Sequence, residues 1–350
     1  MRIVDFIRVI TGFHAPVKKP PQGEMAKTDF YEAATPALLA RLGGAVTHGI
    51  IQLFTRPIEK FMLRGWAPHL EKNKQQINLL AEAFLKDWTQ KASQTRPRAL
   101  ILGVGMGNDI DLAYLSQHFD LTLVDIRSEA LEEVKKNIPS EQRGRVNTIS
   151  GDVSNGVIAR FLEKVLQSID MGLALDDLIE TAIKESKPEL DKLWGEADFV
   201  VSSMLLSQFV LSPIETIYKH KYGDKGQYDA FDPNLMMVDN MPLARLQGSL
   251  INQHVRALRA YAKSGSWVYL ASDLFDREGK NSAMRMPLLF DDTGNRIEHL
   301  SEISVVDDEL AFRELGNWDW QIEPGLYHEV EAIALLPIGA LSGLPIGLKS

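Results

Sequence analysis

Apolar and polar residues alternate along this chain with different periods in different regions. From Thr28 to about Ser93 the period is helical. Leu38, Leu39 and Leu42 form one stripe, Ile50, Ile51, Phe54 and Ile58 a second, and Ile77, Leu80, Ala81, Phe84 and Leu85 a third. Gly43, Gly44 and Pro57 punctuate these stripes, so the pattern predicts several helices. After Pro97 the period changes. Short apolar runs at Ala99–Leu102, Leu121–Val124 and Arg145–Ile149 read as strands. Between them, Asn108 to about Gln117 and Ser128 to about Asn137 read as helices. Asn108 or Asp109 is the expected cap of the first, and Ser128 of the second.

Strand and helix alternation of this kind predicts an α/β fold with a parallel sheet covered on both faces. The pattern then stretches. Val157 to Trp194 is helical throughout, and the fourth strand, Asp198–Ser202, follows only afterwards. A simple crossover needs fewer residues, which predicts an inserted helix pair. Leu206 to Met241 is irregular, a helix is expected over Leu243–Lys263, and a fifth strand over Trp267–Ser272. Near the C-terminus, Trp318–Ile322, the turn Glu323-Pro324-Gly325 and Tyr327–Leu336 read as a hairpin. The expected organisation is a helical N-terminal extension or cap over residues 1–95. It is followed by a nucleotide-type domain over 96–350, with insertions at about 157–195 and 206–242.

With 350 residues, 45% of them hydrophobic, the chain has enough apolar side chains for a full core. A net charge of −9 makes a nucleic-acid backbone an improbable main partner. The lack of cysteine excludes disulfides, thiolate metal ligands and a cysteine nucleophile. No stretch reaches the roughly 20 apolar residues that span a bilayer. The first residues, MRIVDFIRVITGF, carry Arg2, Asp5 and Arg8, which interrupt a signal-peptide core. A short helix packed on the body is expected there rather than a membrane-surface helix, and a cytoplasmic location is the default.

The chemistry concentrates where the first strand ends. Gly103, Gly105 and Gly107 alternate there, and glycine both tolerates positive φ and lets a ligand approach the backbone. Dinucleotide sites carry a glycine three residues after the second one, for close packing of helix on strand. That position is Asn108; the third glycine comes one place early, at Gly107.

This spacing resembles the first motif of class I S-adenosylmethionine-dependent methyltransferases. The resemblance extends to Asp125 at the end of the second strand, Asp152 after the third, Ser202-Ser203-Met204 after the fourth, and the terminal hairpin. It implies a doubly wound, mostly parallel seven-stranded sheet with an antiparallel terminal strand. S-adenosyl-L-methionine would be the cofactor and S-adenosyl-L-homocysteine the product. The cofactor would contact Gly103, Gly105, Gly107, Asn108 and Asp109; Asp125 would hold the ribose hydroxyls, with Ile126 beside it. Asp152 and Val153 would meet the adenine, and Ser202 and Ser203 would line the transfer site. One position departs from the family: the acid often found two residues before the first glycine is Ile101 here. Backbone carbonyls or Asp109 would then contact the cofactor's ammonium. Two alternatives stay open: an NAD(P)-binding oxidoreductase, for which Arg127 would meet a 2′-phosphate, and a non-catalytic cofactor-binding protein.

Methyl transfer requires alignment more than acid–base chemistry, so no base has to show in the sequence. The (N/D)-P-P-(Y/F) motif of amino methyltransferases acting on DNA bases or protein glutamine is absent; Ser202-Ser203-Met204-Leu205 stands there. No set of acids suggests a metal, with Asp239, Asn240 and Asp273 read as loop turns and caps. The expected partner is a small-molecule acceptor methylated at oxygen, nitrogen or carbon, with a protein acceptor and a homodimer as further options. Weak candidates for a catalytic role are Tyr31, His48 and His254, for each of which packing is the simpler reading. Tyr218, Tyr222 and Tyr228 either line a pocket or pack their segment onto the body.

Overall fold

The computed structural model describes residues 43–90, 95–154, 156–169, 196–209, 241–278, 286–291, 293–303, 310–323 and 326–338, with single residues at 181 and 340. The expectations for Tyr31, Tyr218, Tyr222, Tyr228, Asp239 and Asn240, and most of both insertions, lie outside these residues.

Helix α1 runs from Gly43 to Gln90. It is a single helix of 48 residues, about 72 Å at 1.5 Å per residue, where the sequence predicts several. Pro57 lies inside it. A proline removes one amide donor and crowds the preceding turn, which weakens a helix without having to end it. From His69 onward the buried residues are His69, Asn73, Gln76, Ile77, Leu80, Ala81, Ala83 and Phe84, spaced mainly as one helix face. That face lies on the sheet.

The remaining elements follow in the predicted alternation. They are β1 (Arg98–Leu102), α2 (Leu112–His118), β2 (Asp120–Asp125), α3 (Ser128–Asn137), β3 (Val146–Ser150), α4 (Val157–Ile169), β4 (Phe199–Ser203) and α5 (Met241–Lys263). Then come β5 (Trp267–Glu278), β6 (Met286–Pro287), α6 (Leu300–Ile303), β7 (Leu310–Glu323) and β8 (Leu326–Pro337). Two caps differ from expectation. Helix α2 starts at Leu112 rather than Asn108, and its cap is Asp111, whose side chain accepts from the Tyr114 N–H. Helix α3 begins with Ser128 already inside it; Arg127 is the cap and its side chain makes no capping hydrogen bond.

The sheet has the order β3-β2-β1-β4-β5-β8-β7, with β6 attached to β5. The resemblance implies seven strands; the eighth, β6, is two residues long and pairs antiparallel with the overhang of β5 at Phe275 and Asp276. Strands β3, β2, β1, β4 and β5 are mutually parallel. Strand β8 is antiparallel to both β5 and β7, so the second strand of the terminal hairpin inserts between β5 and the first, β7, which forms the edge.

Alternation along the strands separates two cores. Leu100, Leu102, Val200, Val268 and Leu270 face α4 and α5. Ala99, Ile101, Val201 and Tyr269 face α1, α2 and α3. Because both faces are covered, the central strands are apolar throughout, as parallel strands generally are. Phe84 joins α1 to this second face. Its ring centroid lies 5.7 Å from Phe119, 5.6 Å from Phe199 and 5.7 Å from Trp267. Phe84→Ala removes this buried ring from a site with little room to collapse. The expected cost is about 3–5 kcal/mol of unfolding free energy, read from urea denaturation; a loss under about 1 kcal/mol would mean that α1 does not depend on this contact.

Candidate functional site

The three glycines form a left-handed turn after β1. Gly103, Gly105 and Gly107 have φ of +65°, +54° and +65°. At Gly107 a side chain would also meet Leu112 Cδ1 at 3.0 Å and Val134 Cγ1 at 3.4 Å. This glycine performs the close-packing task, one residue earlier than a dinucleotide motif places it.

The turn consumes its own donors. The N–H groups of Gly103 and Val104 both donate to Val124 O, at 2.8 and 3.2 Å, and Gly107 N–H donates to Val104 O at 2.8 Å. Gly105 N–H donates to Asp125 Oδ2 at 2.8 Å. Asp125 Oδ1 accepts from Arg127 N–H at 2.9 Å, and the Arg127 Nε lies 3.5 Å from the same oxygen. Asp125 thus ties the end of β2 to the turn after β1. Each of its oxygens has a second lone pair.

Around this centre the predicted residues take different positions. Ile126 and Met106 are apolar yet 66% and 48% exposed, Met106 within the turn and Ile126 directly after β2. Asn108 is exposed. Asp152 is used as a cap: its oxygens accept from Ser154 N–H at 2.7 Å and Gly156 N–H at 3.1 Å, which shapes the entry to α4. Val153 packs against the core on the α4 and α5 side.

Ser202 and Ser203 are adjacent on a strand and therefore point to opposite faces. Ser202, expected at the transfer site, is turned away from the glycine turn and bonds His254 Nε2 at 2.8 Å inside the core. His254, a weak candidate for a base, is 1% exposed and lies edge-on to Phe209. Burial pulls its pKa down to about 4, so it ties α5 to β4 as a neutral ring. Its Nδ1 has no partner among the described residues. His48 lies in α1, and its side chain and Tyr31 lie outside what is described.

Ser203 faces α1 and joins a buried network that periodicity alone did not single out. Its hydroxyl donates to Asp109 Oδ2 at 2.9 Å. Asn73 Nδ2 lies 2.8 Å from Ser203 Oγ, 3.0 Å from Asp109 O and 3.2 Å from Asp109 Oδ2. Tyr269 OH donates to Asn73 Oδ1 at 2.6 Å, which fixes the orientation of the amide. Burial pushes the Asp109 carboxyl up, opposed by the Ser203 hydrogen bond and by Lys74. It also pushes Tyr269 well up, reinforced by Asp109, so Tyr269 is a permanent donor. Asn73 had a readable signal: it continues the Ile77, Leu80 and Phe84 stripe by one turn, and a polar residue in an apolar stripe requires a partner.

A second cluster stands where β5 overruns β4. Met204, just past Ser203, has φ +54° and packs against the cluster of Trp320 and Val330, as Trp66 and Trp318 do. The His69 ring stacks on Trp320 at 4.2 Å and accepts from Trp318 Nε1 at 2.9 Å. Below it, Asp273 Oδ2 lies 2.9 Å from His328 Nδ1, at a β-bulge between Asp273 and Phe275. Burial raises the Asp273 pKa. Its hydrogen bonds from His328 and Ser207 and the His328 charge outweigh that, so the carboxyl titrates below its usual range. Burial lowers His69 to about 4. The buried Asp273 carboxylate thereby orients the His328 imidazole through Nδ1.

Among the described residues no three His, Asp or Glu side chains are grouped to hold a metal ion, and no helix is long and apolar enough to cross a membrane. No family model matches the chain, and no curated protein matches it. Among solved structures it is similar to the bifunctional kinase-methyltransferase WbdD (13% identity, TM-score 0.34, covering 75% of this chain and 39% of that one). It is also similar to the glycopeptide N-methyltransferase MtfA complexed with S-adenosyl-L-methionine (11%, TM-score 0.30, 74% and 94%). A third is an enzyme structure described as converting a disulfide bond into a thioacetal group during echinomycin biosynthesis (13%, TM-score 0.35, 73% and 80%). The chain thus spans about two fifths of the length of WbdD.

The two neutral buried histidines make stability depend on pH with a definite sign. In the unfolded chain each protonates near pH 6.5, but in the fold only near pH 4. The unfolded state therefore binds more protons between these values, and stability falls as pH drops from 6.5 to 4. For His254→Gln, urea denaturation at pH 7, 5.5 and 4.5 is expected to show this fall reduced by about one proton's worth of slope. An unchanged slope would mean that His254 is charged in the fold.

Proposed function

We propose that the turn after β1 binds S-adenosyl-L-methionine and that the chain transfers its methyl group to a small organic acceptor. The observation that carries this reading is the fate of the turn's amide groups. Gly103, Val104, Gly105 and Gly107 all donate within the protein. A diphosphate needs such donors free and a helix N-terminus aimed at it. Here α2 starts five residues beyond the last glycine, and the Asp111 carboxylate already occupies its end. The charges nearby point the same way. Asp125 bonds the turn itself and Asp109 follows it by two residues, with Arg127 already beside the first and Lys74 acting on the second through space. A ligand made of a neutral nucleoside and cationic groups suits this set, and a dinucleotide diphosphate does not.

The residues present fit the group. Asp125, 7% exposed, keeps lone pairs for two ribose hydroxyls. Ile126 and Met106 offer exposed apolar surface for a flat base; such side chains at the edge of an otherwise polar turn are where a ligand ring gains contact. The cofactor supplies a methyl group already activated on a sulfonium. The chain's part is to hold the acceptor in line with it and to exclude water. Strand order β2-β1-β4-β5 runs from Asp125 through the turn to Ser203 and then to Asp273. The acceptor therefore lies beyond Met204, toward Trp318, Trp320 and the paired Asp273 and His328.

Calorimetry with S-adenosyl-L-homocysteine is the test. Micromolar binding is expected, with no comparable heat from NADH; the reverse result would end this reading. Asp125→Ala is expected to weaken that binding about ten-fold or more, because it removes a charged acceptor from buried hydroxyls and frees the Gly105 amide. Unchanged affinity would remove Asp125 from the ribose.

A further inference from the structure

We infer that a cavity at the opposite end of the sheet from the glycine turn is a binding site for a free α-amino acid, with the ligand's carboxylate on Arg145 and its ammonium facing Asp120. The inference is independent of the cofactor reading above. The cavity measures about 560 Å³ and is walled by the first residues of β1, β2 and β3, by Gly144 before β3, and by Glu196 and Ala197 before β4. That volume lies within the range of small-molecule sites. From Arg98 to Gly103 the chain runs along the five residues of β1, about 16 Å of extended strand, so the cavity and the turn are separate places.

The chemistry changes along one face of the sheet. Near the glycine turn, Val124 and Ile149 are paired in register and belong to the core beneath α4 and α5. Two residues earlier on the same strands the paired residues are Thr122 and Asn147. Side chains alternate with period two, so this pair shares the face of Val124 and Ile149. A parallel sheet covered on both faces is normally apolar at such positions. Thr122 is half-buried, Asn147 is exposed, and both line the cavity. Two residues earlier again, Arg98 and Asp120 are paired. Arg145 directly precedes Val146, the partner of Leu121, and so stands beside Asp120. Leu100 and Ala197 extend the core to the cavity wall and give it an apolar floor.

The charges at this end select the ligand. Arg98 is committed: its guanidinium lies 3.1 Å from Glu196 Oε2 and 3.7 Å from Asp198 Oδ2. Arg145 is not. It is half-buried against the cavity, and among the described residues its guanidinium has no hydrogen bond or ion pair. Asp120 stands on the next strand, about 4.8 Å across. Among the described residues its ion pair is with Arg96 Nε at 4.0 Å, between two solvent-exposed side chains. Exposed pairs of this kind hold their members weakly. Arg145 and Asp120 are thus opposite charges that are neighbours without being partners. The guanidinium fork matches a carboxylate, and the Asp120 carboxylate accepts from an ammonium. The two arginines of the wall are balanced by Asp120 and Glu196, so a polyphosphate gains nothing there. A zwitterion carries one charge of each sign at short separation, as this pair does. Thr122 and Asn147 add polar partners, and Leu100 with Ala197 receives the ligand's side chain.

The experiment titrates the common L-amino acids into the full chain, read by saturation-transfer NMR and calorimetry. At least one is expected to bind with a millimolar or lower Kd. Its N-acetyl form has lost the cation and its carboxamide form the anion; wild type is expected to bind each about ten-fold or more weakly. Arg145→Ala and Asp120→Asn are expected to lose a similar factor for the free amino acid, with circular dichroism and the urea midpoint showing that they fold. Asp125→Ala, or an excess of S-adenosyl-L-homocysteine, is expected to leave the affinity within about two-fold, because the two places are far apart. No binding by any common amino acid at high millimolar concentration would overturn the site. Binding that survives Arg145→Ala, or that S-adenosyl-L-homocysteine displaces, belongs elsewhere and overturns it equally. Equal binding of the N-acetyl form or of inorganic phosphate would leave a simple anion site and end the amino-acid assignment. All of these comparisons on wild type stand whether or not the cofactor reading does.

Discussion

The carboxylate of Asp125 is the point on which the centre of this fold depends. One oxygen holds the Gly105 amide and the other the Arg127 amide. Through the first it fixes the turn after β1; through the second it fixes the step from β2 into α3. The left-handed turn exposes backbone that needs acceptors, and Val124 O and Asp125 supply them from the neighbouring strand. Parallel pairing of β1 with β2 puts those acceptors in reach. The same bonds carry the proposed chemistry. Amides that close the turn are not offered to phosphate, which is why the proposed ligand is a nucleoside with cationic groups rather than a diphosphate.

Helix α1 is more than a flanking element. Its apolar stripe completes the core on one face of the sheet, with Phe84 among Phe119, Phe199 and Trp267. One and two turns earlier the same face carries Asn73 and His69. One helix therefore lays a hydrophobic segment on the middle of the sheet and a polar segment beside Asp109 and Ser203. Packing along the first sets the position of the second. Local stability and site geometry are coupled through the same stripe.

Beyond the turn, the polar groups divide by face. Ser203 looks toward α1 and joins Asp109, while its neighbour Ser202 looks toward α5 and joins His254. Strand pleating alone produces this division. One serine is committed to the site and the other to the core, although both stand at the end of β4. The strand next to them, β5, extends past β4 and bulges at Asp273, which carries the carboxylate to His328 on β8. Bulges re-aim side chains in this way at the edges of functional sites.

The sequence by itself determined the order and type of the elements, because period-2 and period-3.6 patterns follow from which faces must be buried. It also determined the glycine turn, since Gly103, Gly105 and Gly107 occupy backbone angles that other residues avoid, and the acid at the end of β2 that serves it. Cap positions slipped: Asp111 rather than Asn108 or Asp109 starts α2, because several acids in a row could each do it and only chain geometry chooses. The length of α1 was not legible either, since a proline within a helix weakens it locally while packing elsewhere sustains it. What only the tertiary structure decided was partnership. Asn73 with Asp109, Tyr269 with Asn73, and Asp273 with His328 are separated by 36, 196 and 55 residues. No local pattern encodes such pairs. They exist because a parallel sheet gathers the ends of distant strands at one edge, and a helix laid across that edge closes them into a site.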